Sequence, residues 1–213
     1  VLSSNPHVFT LDDGADSSVL MEAVSSRKPL FWGIEASNNE GLFGHRISER
    51  IDLSETRMLM VEDEMDDKML EILKKKKMPN LHWIFFEAHP QANELLRIFP
   101  HIKSVTLSGD DKPDLTPLSQ LEELNYLSDD TLDVGQLPNP DKLLSLTAHI
   151  TTNTVGLEKL SSLEYLNPGE LEFTDEQLAT LLKNFPKLVY LDLTYTELES
   201  LEPLKAAPLL EVV

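Results

Sequence analysis

The sequence predicts an α/β repeat: a curved solenoid with a parallel sheet along its concave side and short helices or 3₁₀ turns on its convex side. Three observations predict it. An L-x-x-L-x-L signature recurs along most of the 213 residues, it does so at near-constant spacing, and the segments between its copies carry either helical periodicity or tight turns.

The clearest copy is Leu188-Val-Tyr-Leu191-Asp-Leu193. The same frame appears upstream as Leu81/Ile84/Phe86, Ile102/Val105/Leu107, Leu121/Leu124/Tyr126 and Leu143/Leu146/Ala148, and more weakly as Leu163/Leu166/Pro168. A poorer copy, Thr56/Leu59/Val61, precedes these, and Leu210 with Val213 opens another. First positions fall at 56, 81, 102, 121, 143, 163, 188 and 210, in steps of 19 to 25 residues that average 22. Side chains alternate along a strand, so positions 4 and 6 of the motif point together into a core. One such strand cannot bury its apolar face alone; stacked neighbours make that core continuous.

The elements follow in order. Residues 1–55 lack a clean motif, although Phe31-Trp-Gly-Ile34-Glu-Ala36 lies 25 residues before Thr56 and reads as a degenerate strand. About fifty residues seldom bury enough surface to fold alone, so an N-terminal cap or degenerate first repeat is expected, with the repeats proper over 56–213. Asp66–Lys74 and Gln91–Phe99 place Met69, Leu70, Leu73 and Leu95, Leu96, Phe99 at helical spacing. Thr174–Phe185 does the same behind a Thr174 N-cap. Pro79, Pro100 and Pro186 end these helices. Leu115-Thr-Pro-Leu118, Leu157-Glu-Lys-Leu160 and Leu201-Glu-Pro-Leu204 are too short for an α-helix and suit 3₁₀ turns. The 25-residue steps therefore take helices and the shortest steps do not. Because a strand signature at the C-terminal end has no polar cap, the expectation is a fragment of a longer array, or an end covered by a partner or a second copy.

This pattern resembles the leucine-rich repeat family over residues 56–213. The L-x-P-L returns are similar to the short-return repeats of bacterial surface and effector proteins such as internalins, which implies a bacterial origin. The family places Asn or Cys at motif position 9; here that position includes His89, Asp110, Asp129, Thr151 and Thr196. Asp and Thr can bond local backbone in the same way, whereas His fits less well.

Composition excludes several function classes. Thirty-seven acidic and 18 basic residues give a net charge of −19, which disfavours nucleic acid or an anionic membrane as the main partner. Residues 101–213 carry 20 acids and 7 bases, so most of the excess lies on the better-formed repeats. No apolar run approaches the ~20 residues of a membrane span. The absence of cysteine removes disulfides, thiolate metal sites and cysteine nucleophiles, and suits a reducing compartment or a solenoid that needs no staples.

Motifs for chemistry are missing. The six histidines form no i, i+4 pair, and there is no H-E-x-x-H, G-x-S-x-G or phosphate-binding glycine loop. Glu62-Asp-Glu-Met-Asp-Asp67 lacks calcium-loop spacing and reads as acids opening a helix, with Lys74–Lys77 at its other end, both favoured by the helix dipole. No cofactor, metal or catalytic residue is expected.

The resemblance implies that positions 3, 5 and 7 face away from the core in three columns. Position 3 reads Trp83, Ser104, Glu123, Ser145, Tyr165, Tyr190; position 5 reads Phe85, Thr106, Asn125, Thr147, Asn167, Asp192; position 7 includes Glu87 and His149. Met58, Met60, Trp83 and Phe85 would form an apolar patch, unless residues 1–55 fold over it. Tyr165 and Tyr190 would be neighbours beside Asp192. Exposed aromatics mixed with acids have the character of a protein-binding hot spot. The expected function is a non-enzymatic module that binds another, basic, protein through Trp83, Phe85, Glu87, Glu123, Asn125, Tyr165, Asn167, Tyr190 and Asp192. The alternatives are the recognition arm of a larger enzyme or effector, and self-association through an open C-terminal repeat.

Overall fold

The computed structural model describes residues 33–36, 54, 56–61, 67–87, 91–109, 112–128, 130–169, 173–194 and 200–211. Eight short strands form one sheet: β1 (Gly33–Ala36), β2 (Met58–Val61), β3 (Trp83–Glu87), β4 (Ser104–Ser108), β5 (Glu123–Leu127), β6 (Ser145–Ala148), β7 (Tyr165–Asn167) and β8 (Tyr190–Leu191). They lie in chain order and every neighbouring pair is parallel. Parallel neighbours need a crossover between them, and each repeat supplies one. The architecture is the α/β repeat solenoid expected of a leucine-rich repeat.

Register follows the motif. Leu59, Ile84, Val105, Leu124, Leu146, Leu166 and Leu191 pair in sequence across seven strands, and all seven are 0% exposed. Position 1 is buried throughout, from Thr56 and Leu81 to Leu163 and Leu188. Position 6 is buried from Val61 to Ala148; Pro168 is buried there too, so the weak sixth frame still fills its place.

A fourth core position lies outside the six-residue signature. Three residues before position 1 stand Met78, Phe99, Leu118, Leu160, Phe185 and Ala207, all buried, with the half-buried Pro140 in the same place before Leu143. The backbone explains them. From Leu81 to Leu210 each position-1 amide donates to the carbonyl three residues earlier, as in Leu81 to Met78, Leu121 to Leu118, Leu188 to Phe185 and Leu210 to Ala207. This turn folds an apolar side chain under the start of the next strand.

The two 25-residue steps carry α-helices, and among the steps of 21 and 22 residues both α and 3₁₀ returns occur. The steps from 56 to 81 and 163 to 188 hold α1 (Asp67–Lys75) and α3 (Asp175–Leu182), and the step from 81 to 102 holds the shorter α2 (Ala92–Ile98). Helix α3 begins in a capping box in which Thr174 accepts from the Gln177 amide and Gln177 accepts from the Thr174 amide. It buries Leu178, Leu181 and Leu182, followed by Phe185, at helical spacing. The remaining returns use 3₁₀ segments at Val134–Gln136, Pro140–Lys142, Leu157–Lys159 and Glu202–Ala206. The Leu115–Leu118 return is a single turn closed by the Leu118 amide on the Leu115 carbonyl, the i to i+3 bond of the expected 3₁₀ turn. On the exposed return side Lys74 pairs with Glu71 of its own helix at 2.7 Å and with Glu94 of α2, so the first lysine of the basic run ties two returns together.

Because each repeat contacts only its neighbours, one core leucine supports two interfaces. Leu146→Ala, between Leu124 and Leu166, is expected to destabilise the fold by about 2–5 kcal/mol. Urea unfolding followed by circular dichroism measures this, and an unchanged midpoint would contradict the packing described.

Candidate functional site

The register that buries positions 1, 4 and 6 turns the intervening residues outward. Trp83, Ser104, Glu123, Ser145, Tyr165 and Tyr190 pair consecutively, and so do Phe85, Thr106, Asn125, Thr147 and Asn167, with Asp192 next in the frame after β8. These two columns form the open face of the sheet. Side chains on neighbouring strands of such a ladder stand about 4.8 Å apart and interact directly.

At the β7–β8 end four of the residues singled out in the sequence come together. The Tyr165 and Tyr190 rings stack with centroids 5.0 Å apart and an interplanar angle of 23°. Tyr190 remains 40% exposed, which is large for an aromatic ring held in a sheet. Asp192 is fixed beside them. The Thr194 amide and hydroxyl both donate to Asp192 Oδ1, and Asn167 Nδ2 donates to Oδ2 at 3.2 Å. The Thr194 bonds hold the Asp192 carboxyl below the usual carboxylate range, with Asn167 and Tyr165 adding to the effect. Burial, and then the charge of Asp192, push the Tyr165 hydroxyl up, so the phenol stays neutral.

Asn167 is itself locked, because its Oδ1 accepts from the Gly169 amide at 2.9 Å. Gly169 has φ of +85°, and a Cβ there would overlap the His149 ring. Both the left-handed backbone and the ring demand glycine. His149 thus packs at the position-7 edge of this cluster.

The other end is arranged differently. Trp83 Nε1 donates to Thr106 Oγ1 at 3.0 Å, and Asn125 Nδ2 donates to the same oxygen at 3.2 Å. Trp83 and Phe85 are half-buried, and beside them Ser104 and Thr106 are 5% and 6% exposed. The indole N–H is therefore spent within the sheet, and this end offers less free surface than the bare sequence predicts. Met58 and Met60 stand in register with Trp83 and Phe85. The Glu87 and Met60 side chains, and the expectation that residues 1–55 cover this patch, lie outside the described residues. Glu87 itself ends β3 opposite Ser108. Glu123, exposed, and Asn125, half-buried, sit between the two ends on β5.

The predicted residues thus form a stripe rather than one pocket. Four strand steps separate Trp83 from Tyr165, roughly 19 Å. Sequence reasoning did not assign Thr106, Thr194 or Gly169, which hold the named side chains in place. Their only signal was a small or hydroxyl-bearing residue in an outward column. Among the described residues no three His, Asp or Glu are grouped to hold a metal ion.

No protein-family model matches the sequence. No curated protein matches it either. Among solved structures, an internalin from Listeria monocytogenes is similar, with 20% sequence identity and a TM-score of 0.46 over 75% of this chain and 48% of that one. The chain thus spans about half the length of that internalin.

Two outcomes follow for this end of the sheet. Gly169→Ala should lose at least ~1 kcal/mol from the left-handed backbone alone, read as a lowered thermal midpoint, and an unchanged midpoint would contradict the conformation. Asp192→Asn should cost stability at neutral pH and less in acid. The folded carboxyl ionises below the unfolded value of about 3.9, so its contribution is present above that pH and is lost as pH falls through the folded value. Urea midpoints of variant and wild type should converge toward acid; midpoints that diverge would refute the assignment.

Proposed function

We propose that this protein is a non-enzymatic interaction module whose open sheet face binds another protein. The observation that carries the reading is the Tyr165–Tyr190 stack, partly exposed on a rigid sheet beside a carboxylate pinned by Thr194 and Asn167. Tyrosines offer large contact area at low entropic cost, and they recur at the centres of protein interfaces. The sheet beneath them is held by continuous core packing, so association would order little of the receptor.

Charge supports a basic partner. A net charge of −19 would steer a positively charged protein toward this one and raise its association rate at low ionic strength.

A photo-crosslinking residue at Asn125, on the open face, tests this against one at Thr180, exposed on α3 of the return side. Crosslinked protein should form from position 125 and not from 180. The double variant Tyr190→Ala with Asp192→Ala should weaken binding of that protein about tenfold or more. Crosslinking confined to position 180, or binding indifferent to the double variant, would refute the assignment.

A further inference from the structure

In the third-position column serines stand between larger residues at 104 and 145; Ser104 is buried, whereas Ser145 is partly exposed between walls of complementary chemistry. Glu123, Ser145 and Tyr165 are consecutive in the third-position column, in register on β5, β6 and β7. At about 4.8 Å per strand, β5 and β7 stand ~9.6 Å apart, with only a serine side chain between them in that column. Tyr165 uses one ring face to stack on Tyr190 of β8, so its other face looks over β6. Its hydroxyl interacts with Asn167, Thr147 and Asp192 of the fifth-position column, so the ring runs from the third column toward the fifth. The floor is Ser145 and Thr147, both partly exposed.

The opposite wall is an unused anion. Glu123 is exposed, and its carboxylate makes no hydrogen bond or ion pair among the described residues. Lys103, the nearby cation on β4's approach, is paired instead with Glu122 at 2.6 Å. From β3 to β8 the third and fifth columns hold two acids, Glu123 and Asp192, and no lysine or arginine. The face therefore presents negative charge with no cation of its own.

We propose that this slot receives an arginine side chain of the protein partner. The guanidinium plane stacks on the free face of Tyr165, its N–H groups donate to the Glu123 carboxylate, and the Ser145 and Thr147 hydroxyls accept at the floor. Arginine fits where lysine does not. It is planar, weakly hydrated and forked, so it can stack and reach a carboxylate at once, whereas an ammonium is a compact and strongly hydrated point charge. This deepens the open-face reading and rests on it.

The test is a titration of the isotopically labelled protein with an acetylated, amidated tri-arginine peptide and its tri-lysine counterpart, at low ionic strength, followed by nuclear magnetic resonance. Tri-arginine should give saturable shifts at Glu123, Ser145 and Tyr165. Tri-lysine should bind about threefold or more weakly, the value of an exposed cation–π contact. Ser145→Leu fills the slot and should abolish the saturable shifts while leaving the core resonances in place. Glu123→Gln, at an exposed position, should weaken tri-arginine about threefold. Equal affinity for both peptides, or Ser145→Leu and Glu123→Gln variants that bind as wild type does, would reduce the effect to diffuse attraction by an acidic protein and overturn the proposal. Crosslinking from Asn125 separates the two readings: if it persists while tri-arginine fails, the open face binds protein and the arginine slot is wrong.

Discussion

One backbone acceptor in each repeat sets the register on which everything else depends. The carbonyl of motif position 2 takes both the position-2 and position-3 amides of the next repeat. Arg57 accepts from His82 and Trp83, His82 from Lys103 and Ser104, Lys103 from Glu122 and Glu123, and the chain continues through Glu122, Leu144 and Glu164. Glu211 then donates to Val189 in the same sense, so the ladder continues one step past β8. A one-residue slip anywhere would turn a strand's leucines outward and its polar residues into the core. The apolar residues at positions 1, 4 and 6 make that slip costly, and the shared carbonyl gives each strand a fixed starting point.

This register also creates the open face. Equivalent residues of successive repeats are brought into line, so that residues about 20 apart in sequence become neighbours a few ångströms apart. Tyr165 and Tyr190, 25 residues apart, stack; Trp83 and Thr106 share a hydrogen bond. The face is uneven because the columns are. Where a large residue flanks small ones, as Trp83 does Ser104, the small ones are shielded. Ser145 also lies between larger residues, Glu123 and Tyr165, but stays partly exposed, and the slot is there.

Much of the fold was legible because its signal is repeated. Leu124 or Leu146 alone could belong to any amphipathic segment, but the same spacing seven times has few other readings. Return type was also readable, because a 25-residue step has room for a helix and a 19-residue step does not. The weak frame at Pro168 and the buried position before each strand were harder to see. Proline hides a core position from any search for leucine, and Met78, Phe99 and Ala207 share burial without sharing a residue type. The state of Trp83 was not readable, because its exposure depends on a hydrogen bond to Thr106 one repeat away.

The sequence by itself determined the repeat, the strand frame, the outward columns and the excess of negative charge. These depend on local alternation and on spacing, both properties of the chain taken in order. Only the tertiary structure decided how the columns are used. It stacked Tyr165 on Tyr190, pinned Asp192 with Thr194 and Asn167, spent the Trp83 indole inside the sheet, and left Glu123 without a partner among the described residues, two strands from Tyr165. Each depends on side-chain direction and on contacts between strands, where a few tenths of an ångström separate a hydrogen bond from a gap, and no spacing rule along one chain carries that information.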